Sequence, residues 1–268
     1  MSEVGKVVLE MIRLCFFVIF IIVQSREVEQ DHNKNSDDRT IFRDPHHQFK
    51  TEQEIGHHRV PRGVIRNNKK MWPSSTIPYE ISSKIGDERR RDIKSGMVIL
   101  ENKTCLKFKQ RTCCEKKMFS FLFGMKPMPK DYIFFQDDEP GCYSKLGRQG
   151  GKQIINLNGC DDVFSIIHEI LHALGFLHEH QRMDRDKYIE VRYNNLKEGL
   201  ENEFVKKDSD TMGITYDFYS VMHYGSFSGS KDDNKPVLVP KVAGVGLLIK
   251  NNTLSDSDVL KINKLFKC

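Results

Sequence analysis

The sequence predicts an α+β fold in which a mixed, twisted sheet of about four or five strands packs against helices. Two observations carry this. Short runs rich in Ile, Phe and Tyr, with strand-like alternation, occur at residues 76–82, 105–109, 132–136 and 153–157. Between and after them lie two helical patterns: residues 89–101, with Ile93, Met97 and Leu100 at helical spacing, and residues 162–177, apolar nearly all round. No repeat of a fixed period is visible, which sets solenoids and propellers aside.

The chain opens with an uninterrupted apolar run at residues 14–23, preceded by Arg13 and closed by Gln24, Ser25 and Arg26. This is the layout of a secretory signal, assigned to residues 1–25. The run is shorter than the roughly 20 residues that span a bilayer, so no stable membrane insertion is expected. Residues 26–62 are polar, His-rich and without cysteine, too poor in apolar periodicity to bury a core, and read as a pro-segment. Arg62, in the run Val60-Pro61-Arg62-Gly63, offers an activating protease an exposed basic site, leaving 63–268 as the folded domain.

Secretion makes disulfides possible, and of 7 cysteines only Cys15 leaves with the signal. The remaining Cys105, Cys113, Cys114, Cys142, Cys160 and Cys268 allow about fifteen pairings. Sequons at Asn102 and Asn251 suit the same compartment. Residues 113–130, with vicinal cysteines, an apolar cluster and prolines, fit no period and read as a loop insertion.

The formal charge of +5 arises from 42 Lys and Arg scattered among 37 Asp and Glu, without the basic stripe of a nucleic-acid binder. The dense run at 87–94, with Arg89, Arg90 and Arg91 beside Asp87, Glu88 and Asp92, reads as the solvated face of a helix. No nucleic-acid partner is expected.

The chemistry lies in the apolar helix opened by Asp162 and closed at Gly175. His168 and His172 are one helical turn apart on one face, where both imidazoles reach a single ion, and Glu169 flanks it. Gly175 lets the backbone turn so that His178 swings back as a third ligand. Three imidazoles and an open position are the coordination of catalytic zinc, one ion per chain, whereas a structural site fills all four positions. The motif HExxH alone arises by chance in on the order of one chain in a hundred; Gly175 and His178 at fixed offsets lower that by roughly a thousandfold. Such an ion would polarise a scissile carbonyl and activate water, with Glu169 as general base. Cysteines in such a chain are better explained by bridges than by thiolate catalysis.

The run His168 to Asp186, HEILHALGFLHEHQRMDRD, resembles the zinc signature of the astacin family of metzincin peptidases, HExxHxxGFxHExxRxDRD, at every fixed position. The segment from Tyr216 to Tyr224, YDFYSVMHY, resembles that family's Met-turn, and similarity extends over most of 63–268. The resemblance implies a zincin fold: a sheet and active-site helix in an N-terminal subdomain, a mostly irregular C-terminal subdomain, and a cleft between them. It implies that Met222 floors the metal and that Tyr224 ligates it at rest, then swings away to stabilise the oxyanion. It implies the pairs Cys105–Cys268 and Cys142–Cys160, an anchoring role for Glu179 toward the trimmed amino terminus, and protein or peptide substrates lying along residues 151–157 as the cleft edge strand. The family's pro-segment presents an aspartate within FxGD to the zinc; the nearest candidate is Asp44 in Phe42-Arg43-Asp44, which lacks the glycine. The competing reading is a secreted, non-catalytic binding protein on the same scaffold.

Overall fold

The computed structural model describes residues 64–65, 68–111 and 129–268. The segments expected as signal and pro-segment, with Asp44, and also Gly63, Cys113 and Cys114, lie outside the described residues.

The strands are β1 (Val64–Ile65), β2 (Thr76–Ile81), β3 (Lys107–Gln110), β4 (Tyr132–Gln136), β5 (Gly141–Ser144), β6 (Lys152–Asn158), β7 (Ile189–Val191), β8 (Ser209–Asp210) and β9 (Leu238–Pro240). The helices are α1 (Asp87–Lys103), α2 (Val163–Leu174) and α3 (Asp256–Phe266). Five strands form one mixed sheet in the order β3-β2-β4-β6-β5. The first four run parallel, and β5 returns antiparallel to β6. The α+β expectation is met.

One expectation is corrected. Residues 151–157 do not form the cleft edge: their strand, β6, is bonded on both sides, and β5 is the edge. The run Gly141-Cys142-Tyr143-Ser144 is too short and too poor in β-formers to register as a strand by pattern. It pairs because the buried Asn156 side chain donates to Glu139 O at 2.6 Å and to Gly141 O, drawing that segment against β6. The arginines of α1 also differ from the solvated reading: Arg89 donates to Cys160 O at 2.7 Å and Arg90 to Ser82 O at 3.0 Å, while Arg91 is exposed.

Ile77, Ile133, Phe135, Ile155 and Leu157 of the sheet share one apolar core with Ile93, Met97 and Leu100 of α1 and with Ile166, Ile167 and Ile170 of α2. Gly96 lies where α1 faces α2; a Cβ there would stand 3.4 Å from Ile167 Cγ1, so the two helices close to contact. Trp72 secures α2 from its other end by donating Nε1–H to Ala173 O at 2.9 Å.

Between α2 and α3 regular structure thins to 3-10 turns and the short strands β7, β8 and β9, of which β8 pairs with β1 and β7 with β9. A second apolar cluster built on Phe204, Tyr216, Phe218, Val237 and Leu238 gives this half its own core. Buried charges replace the missing ladders. Arg182, 1% exposed, donates to Glu179 and Asp184 side chains and to the carbonyls of Ile214 and Thr215; Arg185 donates to His180 O and Phe204 O. An irregular backbone leaves carbonyls that ladders would have satisfied, and these guanidiniums satisfy them.

Both implied disulfides form, Cys105–Cys268 and Cys142–Cys160. The first ties the chain's end beside β3 across a separation of 163 residues. Chain-entropy arguments assign such a loop about 5 kcal/mol, less any native strain. Replacing Cys105 and Cys268 together by serine is expected to lower unfolding stability by roughly 3–5 kcal/mol in chemical denaturation; an unchanged midpoint would contradict this.

Candidate metal centre and cleft

Helix α2 is capped at both ends as its sequence demands. Asp162 accepts from Ser165 N at 2.7 Å, and Gly175 takes the left-handed C-cap conformation at φ 108°, with its N–H on His172 O. That conformation carries a steric cost for any side chain, and it turns the chain so that His178 returns to the helix face. His168, His172 and His178 are the group of described residues whose ligand atoms converge, all within 4.8 Å of one another.

Their orientation is fixed from behind. His168 Nδ1 lies 2.9 Å from Val221 O, and His172 Nδ1 lies 2.8 Å from Phe176 O. A carbonyl only accepts, so each Nδ1 carries the proton and each Nε2 an unshared pair. His178 Nε2 stands 3.1 Å from His168 Nε2 and 2.9 Å from His172 Nε2. Lone pairs so placed repel unless a cation sits among them. Tetrahedral zinc, with nitrogens at about 2.0–2.1 Å, sets its ligand atoms about 3.3 Å apart, close to this spacing. The donor set therefore fits the metal. Burial pushes His168 down to about 4 and His172 down to about 3, and holds His178 well below its ordinary value, so all are neutral ligands at physiological pH.

Glu169 points into the same cleft. Its Oε2 is buried with no hydrogen-bond partner among the described residues, while Oε1 stands 3.7 Å from Cys142 Sγ, a disulfide sulfur without a proton to give. Burial pushes the carboxyl up to about 7, against the opposing pull of Ser144 and Lys250. Tyr224 lines the cleft as well, its ring centroid 4.3 Å from those of both His178 and His180. Burial raises its phenol to about 12, so it remains a proton-bearing donor. Met222 is 2% exposed in the main core, and its carbonyl accepts from Glu179 N at 2.9 Å, joining the Met-turn to the residue after the third imidazole.

Glu179 is fully engaged. Oε1 accepts from Arg182 at 2.7 Å and Asp217 N at 3.0 Å, and Oε2 from Lys261 Nζ at 2.7 Å. Burial alone would raise this carboxyl, but Lys261 and Arg182 hold it below its ordinary value. Lys261 and the cleft residues Lys250, Ser144 and Glu203 were not singled out from sequence. They come from loops, an edge strand and the last helix, and no local pattern marks them. The cleft lined by the three imidazoles, Glu169, Tyr224, Ser144, Glu203 and Lys250 has a volume of about 550 Å³.

Comparison with known proteins agrees with this geometry. Residues 64–267 match the family model of the Astacin peptidases. The chain is 38% identical over 216 residues to Zinc metalloproteinase nas-4 of Caenorhabditis elegans, covering 78% of this chain and 63% of that protein. It is 34% identical to the Low choriolytic enzyme of Oryzias latipes, covering 74% and 69%. Among solved structures, High choriolytic enzyme 1, a hatching enzyme zinc-protease of the same fish, aligns with a TM-score of 0.67 at 31% identity, covering 76% of this chain and 99% of that one. The chain thus spans less than two thirds of the length of the nematode relative. It belongs to the astacin family, and its cofactor is zinc. No helix among the described residues is long and apolar enough to cross a membrane.

The raised Glu169 carboxyl has a measurable consequence in the metal-free protein. Its folded value of about 7 exceeds the ordinary 4.5, so the stability present below pH 4.5 is lost as pH rises through 7. Glu169→Gln removes that penalty. The metal-free variant is expected to be more stable than the parent at pH 8, by on the order of 3–4 kcal/mol for a shift of about 2.5 pH units at roughly 1.4 kcal/mol per unit, and equal to it at acid pH. Thermal melts of both at several pH values check this, and a variant that gains nothing at pH 8 refutes it.

Proposed function

We propose that this protein is a secreted zinc endopeptidase that hydrolyses peptide bonds in proteins and peptides, with Glu169 as general base. The observation that carries this is the juxtaposition of three inward-facing imidazoles with a buried carboxylate that has one oxygen free of any partner among the described residues, in an open cleft. Bound zinc supplies Lewis acidity, polarising the scissile carbonyl and acidifying water. Glu169 takes the proton of the attacking water on its free oxygen and passes it to the leaving amine. Tyr224, proton-bearing across the physiological range, donates to the developing oxyanion.

Strand β5 receives the substrate. It lines the cleft through Cys142, Tyr143 and Ser144, and among the described residues it is bonded within the sheet only to β6, so an extended peptide can add along its outer edge through main-chain hydrogen bonds. Ser144 Oγ donates to Glu169 O at 2.9 Å, fixing this strand against α2 at the residue that acts as base. The division into signal (1–25), pro-segment (26–62) and enzyme (63–268) belongs to the same reading, with activation by cleavage after Arg62 and Asp44 as latency plug. The burial of Val64 and its bridge to Phe176 support docking of the trimmed amino terminus near Glu179, where an ammonium would join the three donors already on that carboxylate.

Protein secreted and trimmed near Gly63 is expected to cleave denatured protein, to lose that activity on chelation and to regain it with zinc. In Glu169→Gln, zinc should remain bound while turnover falls below detection; undiminished cleavage would remove Glu169 from its role. Tyr224→Phe is expected to lower kcat by roughly 10²–10³-fold with little change in KM. A correctly trimmed, zinc-loaded parent inert on a broad peptide library would favour the non-catalytic alternative.

A further inference from the structure

The two ring N–H groups that orient α2's imidazoles are held differently. His172 leans on Phe176 O, which its own helix end supplies. His168 leans on Val221 O, which belongs to a distant loop and must itself be held. The other end of the same peptide unit, Met222 N–H, donates to Ser220 Oγ at 3.0 Å, and Ser220 donates in turn to Asp258 Oδ1 at 2.6 Å. Asp258 Oδ2 accepts from Val221 N at 2.8 Å. An unbroken chain of hydrogen bonds thus runs from an imidazole through a peptide and a hydroxyl to a carboxylate. Ser220, Val221, Met222 and Asp258 are each no more than 3% exposed.

Asp258 also completes the capping box of α3 with Ser255. That role accounts for its bond to Ser255 N at 3.2 Å but not for the donors it takes from Ser220 and Val221. Every donor converges on the carboxylate, so it acts as a pure acceptor. Hydrogen bonds in series polarise one another, and a carboxylate at the far end draws the imidazole proton outward and leaves more electron density on the metal-facing nitrogen. The helix that bears Asp258 is tied down beyond its far end by Cys105–Cys268.

We propose that Asp258, acting through Ser220 and the Val221–Met222 peptide, is a positioning residue for His168 that sets its tautomer, orientation and donor strength toward zinc. The proposal rests on the zinc-site reading above. Its test is zinc affinity of the full chain, by competition with a chromogenic chelator, together with the visible spectrum of the cobalt-substituted protein. Ser220→Ala and Asp258→Asn are expected to weaken zinc binding by roughly 10–100-fold and to shift the cobalt bands. Ile262→Val, which trims the buried core face of the same helix, should lower the melting temperature and leave both readouts as in the parent. Variants that melt earlier yet keep the parent's zinc affinity and cobalt spectrum would overturn the proposal. If Asp258→Asn does not fold, Ser220→Ala decides alone, since it removes a single hydroxyl. Failure of the parent itself to take up zinc would instead overturn the metal-site reading, and the proposal with it.

Discussion

Three neutral imidazoles aimed at one point are an unstable arrangement unless something holds each ring from behind and a cation occupies the centre. Most of the structure around the cleft supplies one or the other. The helical spacing of His168 and His172 brings two rings to one face, the turn at Gly175 returns the third, and carbonyls of Phe176 and Val221 pin the protonated nitrogens. Burial keeps the rings neutral, because charging any of them inside the protein costs solvation that nothing nearby repays. Metal and fold are therefore coupled: the geometry that makes a good ligand set is costly to hold when empty.

The parts of this arrangement that are local in sequence could be read from it. Helix α2 was expected with Asp162 as its cap and Gly175 at its close, because capping chemistry and apolar spacing agree there. Residues 132–136 form a strand as their pattern demands. What sequence could not carry is neighbourhood. The stretch expected at the cleft edge lies inside the sheet, and it is covered on both faces, Gln153, Ile155 and Leu157 on one and Asn156 on the other. Strand β5 has almost no pattern of its own and exists because Asn156 and a disulfide hold it in place. Ser220 and Asp258 sit far apart in the chain, and neither residue type nor spacing marks them as a pair.

The irregular half of the molecule follows another rule of construction. Its backbone pairs little, so its stability rests on contacts between buried charges and carbonyls, such as Arg182 with Ile214 and Thr215. Such contacts have no period, and the segment after His178 accordingly shows charged residues, Glu179, Arg182 and Arg185, where a reader of hydropathy would expect surface. All three are buried. Removing any one leaves an uncompensated partner in the interior, which costs far more than losing an exposed ion pair.

These two modes of construction meet at the cleft, and the division suits the chemistry. The peptide substrate of the proposed function needs a straight, preorganised backbone edge, which a sheet provides, and β5 offers four residues of it, long enough to register a chain and short enough to limit pairing with another copy. The groups that gather at the metal centre need positions that no ladder can deliver, and these come from a helix end, a glycine turn and an irregular loop. Ser144 joins the two by tying the edge strand to the backbone of Glu169. On the proposed function, substrate register and the position of the base are thereby set by one contact, so a shift of β5 that moved the bound peptide would carry Glu169 with it.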